Sequence, residues 1–116
     1  MRVIVLVKAT AESEAGGPPD PAMMAAMGRF NDELRAAGVL QMADGLQPSS
    51  AGARVAFDGE GREVAKGPFG PAGELVAGFW IWEVRDLDEA IAWVRRCPNP
   101  MPGPSVIEIR PFNSRD

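Results

Sequence analysis

Apolar positions come in two rhythms along this chain, and the switches between them mark out the elements. Val3, Ile4, Val5, Leu6 and Val7 form an unbroken, largely β-branched run, which predicts a central strand over Arg2 to Lys8 covered on both faces. The rhythm then stops: Ala9 to Pro19, carrying Gly16, Gly17, Pro18 and Pro19, reads as a loop. Asp20 followed by Pro21 is a helix start, because the carboxylate accepts orphan backbone N–H bonds and proline presets φ at the first helical position. Met23, Met27, Phe30, Leu34 and Ala37 recur at four-three spacing, one apolar stripe on a helix that Gly38 can stop. Methionine at this spacing reads as core filling.

Val39 to Leu46 predicts a second strand, with Val39, Gln41 and Ala43 on one side and Leu40, Met42 and Asp44 on the other. A polar loop leads to Ala53–Phe57 and Arg62–Lys66, two short strands around Asp58-Gly59-Glu60-Gly61, a hairpin with a four-residue turn. After the loop Gly67-Pro68-Phe69-Gly70-Pro71 comes the most apolar strand, Ala77 to Val84. Trp80, Trp82 and Val84 face one way on it, and Phe79, Ile81 and Glu83 the other. Asp86, with Glu89 three residues on, opens a second helix whose inner stripe is Leu87, Ala90, Ile91 and Val94. Pro98 ends it, and Ser105 to Arg110 is a last strand with Ile107 and Ile109 opposite Val106, Glu108 and Arg110.

Strand, helix, strand, hairpin, strand, helix, strand is an α+β order. It is that of a ferredoxin-like βαββαβ unit with an inserted β-hairpin, one domain over residues 1–116. Two amphipathic helices cover only one face of a four-stranded sheet, so the other face calls for a partner sheet. Glu83 continues the Phe79–Ile81 face toward polar surroundings while Val84 continues the tryptophans into an apolar core. Phe79 and Ile81 are therefore expected at a homodimer contact, and Trp80 and Trp82 under the helices.

Charge and residue counts remove several classes of function. With 12 basic and 16 acidic residues the net charge is −4, and no basic cluster exceeds the pair Arg95-Arg96, so a direct nucleic-acid partner is not expected. No apolar run approaches the ~18 residues that span a bilayer, so no membrane association and a cytoplasmic location are expected. Histidine is absent and Cys97 is the single cysteine, which removes His-activated nucleophiles and thiolate zinc sites. No metal and no cofactor are expected, and acid or base chemistry falls to carboxylates and lysines.

The candidate chemistry is a small-molecule site in the cleft between paired sheets. Asp44 and Glu108 are the candidate catalytic acid or base, with Glu83 as a further carboxylate. Arg110 and Lys66 are candidates to hold an anionic group, and Glu83 and Phe69, the latter in the Pro/Gly loop, are further ligand-binding candidates. Burial toward an apolar interior is what would make such a carboxylate a useful base. Glu108 and Arg110, two apart on one strand face, have a structural alternative, in which they pair with a neighbouring strand or with the symmetry mate.

The runs GRFNDELRAAGVLQMADGLQPSSAGARVAFDG, KGPFGPAGELVAGFWIWEVRDLDEAIAWVRRCP and VIEIRPF together resemble the YCII-related family, in its DGPF-motif branch. The resemblance implies a dimeric α/β barrel in which two ferredoxin-like sheets meet face to face around a cleft. It also admits a regulatory accessory role beside an extracytoplasmic-function sigma factor, with the hairpin and the 66–73 loop presented to a protein partner. The naming motif stands here as Lys66-Gly67-Pro68-Phe69, a cation replacing its acid. The His-Asp pair proposed for catalysis in some YCII-like members has no counterpart in a chain without histidine.

Overall fold

The computed structural model describes residues 1–113. Its elements are β1 (Arg2–Lys8), α1 (Ala11–Glu14), α2 (Pro21–Ala36), β2 (Leu40–Gly45), β3 (Ala53–Asp58), β4 (Gly61–Lys66), β5 (Val76–Glu83), α3 (Leu87–Arg96) and β6 (Ile107–Pro111). This is a mixed α+β architecture. Four strands form one antiparallel sheet in the order β2-β5-β1-β6, and β3 and β4 pair separately. The hairpin lies outside the core, with every residue of β3 and β4 exposed. Its projection accounts for a radius of gyration of 15.9 Å, against about 13 Å for a compact chain of this length.

Both longer helices pack on one sheet face. Val3, Val5 and Val7 from β1 and Trp80 and Trp82 from β5 meet Phe30 and Leu34 from α2 and Ala90 from α3 in one buried cluster. Phe30 is its centre, with its ring edge-on to Trp80, Trp82 and Trp93 at 6.1, 6.3 and 6.2 Å between centroids. Such pairs add roughly 0.5–1.5 kcal/mol each beyond the area they bury. Trp80 donates its indole N–H to Asn31 Oδ1 at 2.8 Å. Among the described residues Trp82 has no acceptor for its own buried N–H, an arrangement that costs about 1–3 kcal/mol and that surrounding packing must outweigh.

The expected faces of β5 hold: the tryptophans lie under the helices while Phe79 and Ile81 lie half-buried on the helix-free side. β1 is central, yet within one chain only its Val3, Val5 and Val7 face is covered, and Ile4 and Leu6 stay half-exposed.

Four local expectations need correction. The stretch read as a loop contains α1, nucleated by a reciprocal cap in which Thr10 Oγ1 accepts from Ser13 N and Ser13 Oγ from Thr10 N. β2 carries a register shift between Leu40 and Met42 against β5. Leu40 and Ala43 therefore share the helix-covered face, and Met42 and Asp44 the open one. The turn between β3 and β4 is shorter than expected, because Asp58 pairs directly with Gly61, and Gly59 adopts φ +58° there. In α3, Leu87 and Ile91 are 41% and 40% exposed, and the inward positions are Ala90, Trp93, Val94 and the capping Cys97.

The start of α3 is built as its residues predict. Asp86 Oδ1 accepts from Glu89 N at 2.9 Å, and Glu89 Oε1 accepts in return from the backbone N–H of Arg85 at 2.7 Å. That backbone hydrogen bond holds Glu89 below the ordinary carboxylate range, against a smaller opposing effect of burial. A depressed folded value means the contribution is fully present above the unfolded glutamate pKa of about 4.3 and is lost as pH falls through the lowered folded value. Glu89→Gln is accordingly expected to flatten the acid limb of the stability curve while leaving its shape above pH ~6 unchanged, as read by urea unfolding across pH. An acid limb of unaltered slope would show that this carboxylate contributes nothing there.

Candidate functional site

The helix-free face is ordered in rows by the strand register. One row runs Asp44, Phe79, Leu6, Glu108 across β2, β5, β1 and β6, and the next runs Met42, Ile81, Ile4, Arg110. The four central residues are apolar and half-exposed, while the outer positions of each row carry most of the polarity. Glu83 follows at the end of β5, where its Oε2 accepts from the amino group of Met1 at 2.7 Å.

This order decides which candidate residues can cooperate. Asp44 and Glu108 share a face but sit on opposite edge strands, three strand spacings or about 14 Å apart, so one chain does not bring the two carboxylates together. Asp44 is exposed, and its Oδ1 accepts from the backbone N–H of Gly45 at 2.9 Å. Glu108 pairs with Arg110 of its own strand at 3.3 Å, rather than with a neighbouring strand. The enclosure that acid-base use of either carboxylate requires is not built by one chain.

Lys66 and Phe69 belong elsewhere, at the root of the hairpin. Lys66 ends β4 in solvent, paired in register with Ala53. Phe69 lies beneath the Arg54 guanidinium, 4.2 Å from its ring centroid, and its backbone N–H donates to Ser49 Oγ at 2.9 Å. Ser49 in turn donates its own backbone N–H to Glu14 Oε2 at 3.0 Å and its hydroxyl to Glu14 Oε1. Glu14, Ser49 and Phe69 thus fasten α1, the following short 3₁₀ turn at Ser49–Ala51 and the 67–71 loop to one another. Among the described residues no hydrogen bond or ion pair joins this group to Asp44, Glu83, Glu108 or Arg110.

Cys97 caps α3 against the core, where burial pushes its thiol up to about 11. It is therefore a protonated, weakly reactive packing residue at neutral pH. Among the described residues no group of three or more His, Cys, Asp or Glu side chains lies close enough to hold a metal ion, and no helix is long and apolar enough to cross a membrane.

A further concavity is one that residue patterning did not flag. A groove of about 480 Å³ opens between α2 and the β2–β5 end of the sheet, on the helix-covered side. Ala43, Gly45 and Gly78 stand on its sheet side, where small residues leave room, and Met23, Met24, Met27, Gly28 and Asn31 stand along α2. Phe79 and Asp44 reach its margin. Volumes of about 300–1,000 Å³ with mostly apolar walls are those of small-molecule sites. The four-three stripe placed Met23 and Met27 facing inward, but nothing in it says that the facing strand positions lack side chains.

Gly28 is informative because α2 does not need a glycine there. Its φ is not in the left-handed region, and a Cβ built on it would meet nothing within 4 Å. Glycine within a helix costs about 0.8–1 kcal/mol relative to alanine. Gly28→Ala is therefore expected to raise stability by about 1 kcal/mol, measured by urea denaturation; a loss of stability would mean that the space beside Gly28 is occupied.

The chain thus presents an antiparallel sheet covered by helices on one face, with an open apolar face on the other and a groove at one corner. The model of the YCII-related domain matches residues 1–113, and the chain belongs to that family. No curated protein matches it.

Proposed function

We propose that this YCII-related protein is a homodimer that binds a small polar or anionic molecule in a cleft between two sheets packed face to face. The observation that carries the proposal is the helix-free face itself. Ile4, Leu6, Phe79 and Ile81 form its centre in half-exposed positions, with charged residues confined to the edges. Taking such a side chain from full exposure to full burial is worth roughly 1.5–3 kcal/mol, of which the half-exposed part is still to be gained here, and a two-fold repeats every contact. The strand order β2-β5-β1-β6, with β3–β4 as an insertion, supports a ferredoxin-like unit as the protomer, in a single domain. Membership of the YCII-related family is consistent with its DGPF-motif branch, in which Lys66 replaces the acid.

A two-fold running along the strands would set β2 of one protomer over β6 of its partner, with the sheets about 10 Å apart. Asp44 would then face Glu108 and Arg110 of the partner subunit. The two carboxylates that one chain keeps apart would share a water-poor cleft, with Arg110 available to an anionic ligand group. A metabolite screen read by thermal shift tests this. Ligands should stabilise the wild type, by about 2.7 kcal/mol at a hundred times Kd, and lose their effect on Glu108→Gln. Ligands that act equally on Glu108→Gln and Asp44→Asn would place the site elsewhere.

One observation favours a second reading, in which the dimer is a regulatory accessory module for a sigma-factor partner. Val55, Phe57 and Val64 are 47%, 71% and 65% exposed on the projecting hairpin, a run of apolar surface that suits protein contact. Phe57→Ser should then abolish partner capture without changing the dimer. Retained capture would count against the hairpin as the contact.

A further inference from the structure

We propose that the groove between α2 and the β2–β5 end of the sheet is a second binding site, distinct from the inter-sheet cleft, for a flat and mostly apolar small molecule carrying one polar end. Two independent observations lead to it. The first is the distribution of missing side chains around the groove. Gly28 on α2 and Gly45 on β2 both border it, neither has a φ that calls for glycine, and a Cβ on either would meet nothing within 4 Å. Packing does require Gly78, where a Cβ would lie 3.1 Å from the Asp44 carbonyl oxygen. The two unforced glycines keep open a space that larger residues would close. In the helix one of them does so against its own conformational preference.

The second observation is the polarity of the lining. Met23, Met24 and Met27 supply a soft wall that adapts to ring systems, opposite the Trp80 face and Val7. Asn31 is the one polar residue of the lining whose side chain lies on the helix side; Asp44 borders the groove from a strand position whose side chain belongs to the open face. Asn31 Oδ1 accepts from the Trp80 indole N–H at 2.8 Å, so its amide N–H groups remain as donors. A single polar group in an otherwise apolar groove fits a ligand with one hydrogen-bonding end. No lining residue is a cation that could hold an anion, so the ligand class is neutral.

N-phenylnaphthylamine, a neutral two-part aromatic with one N–H, is a suitable probe, titrated into the full-length protein. The expected result is saturable fluorescence enhancement at one site per chain, with transfer from the tryptophans because Trp80 borders the groove. Gly28→Leu should weaken binding at least tenfold by filling the space. Met24→Glu changes a residue 53% exposed and so tests the site without burdening the core; it should weaken binding by a comparable factor. The dimer should sediment unchanged in both variants, which separates this site from the inter-sheet cleft. Equal affinity in wild type and both variants would overturn the proposal, as would unsaturable binding. So would binding that appears only on dilution to single chains, because the groove would then be covered by a second copy.

Discussion

Trp82→Glu is expected to unfold the protein, whereas Ile81→Glu, one residue away on the same strand, is expected to leave it folded and separate its two copies. Trp82 is 0% exposed, its ring 5.6 Å from that of Trp80 and 6.3 Å from that of Phe30. Truncating a core tryptophan costs about 3–5 kcal/mol, and a buried carboxylate without a partner adds a desolvation penalty. A domain of this size has only about 5–15 kcal/mol to lose. Ile81 lies on the opposite face, half-exposed between Ile4 and Met42. In a single chain a carboxylate there stays solvated, and in a face-to-face dimer it is enclosed twice. Near-UV circular dichroism should therefore be lost for Trp82→Glu and kept for Ile81→Glu. A folded Trp82→Glu chain would reverse the assignment of faces.

Gly67→Ala is expected to be the most damaging small change outside the core. A Cβ at position 67 would lie 1.8 Å from the backbone carbonyl oxygen of Ser49, a clash that no side-chain rotation relieves. The same glycine donates its N–H to Gly52 O at 2.9 Å, so moving it disturbs the root of the hairpin. Separation of the two segments would also break the hydrogen bond from Phe69 N to Ser49 Oγ. The expected cost is about 1–3 kcal/mol, with faster proteolysis at the 67–71 loop. Lys66→Asp, at the preceding and solvated position, should change stability by no more than about 0.5 kcal/mol. Equal behaviour of the two variants would mean that the close approach at Gly67 does not hold the loop.

Much of the fold was legible because its signals are local. Val3 to Val7 marked a central strand, although one chain covers only one of its two faces; Asp20-Pro21 and Asp86 with Glu89 are caps that act within four residues, and Glu83 beside Val84 distinguished the two faces of β5. The corrections arise where the deciding contact is not local. Nothing in the apolar alternation of β2 marks the shift after Leu40. The exposure of Leu87 and Ile91 follows from how α3 rests on the sheet, with Trp93 rather than Leu87 turned to Phe30. Thr10 and Ser13 form a good capping pair, but the glycines and prolines that follow hide it.

The candidate site divides in the same way. Asp44, Glu108 and Arg110 were found as polar residues on one sheet face, and their residue types are enough for that. Their separation across four strands depends on strand order, and their meeting depends on a partner. The groove under α2 was not legible, since it consists of side chains that are absent from two elements far apart in sequence, Gly28 on one and Gly45 on the other.

Sedimentation equilibrium of the wild-type protein at micromolar concentration tests the face-to-face dimer most directly. The predicted result is a mass twice that of the 12.4 kDa chain, falling to the single-chain value for Ile81→Glu. A wild-type mass of one chain would contradict it, and would remove the inter-sheet cleft together with the ligand placed there.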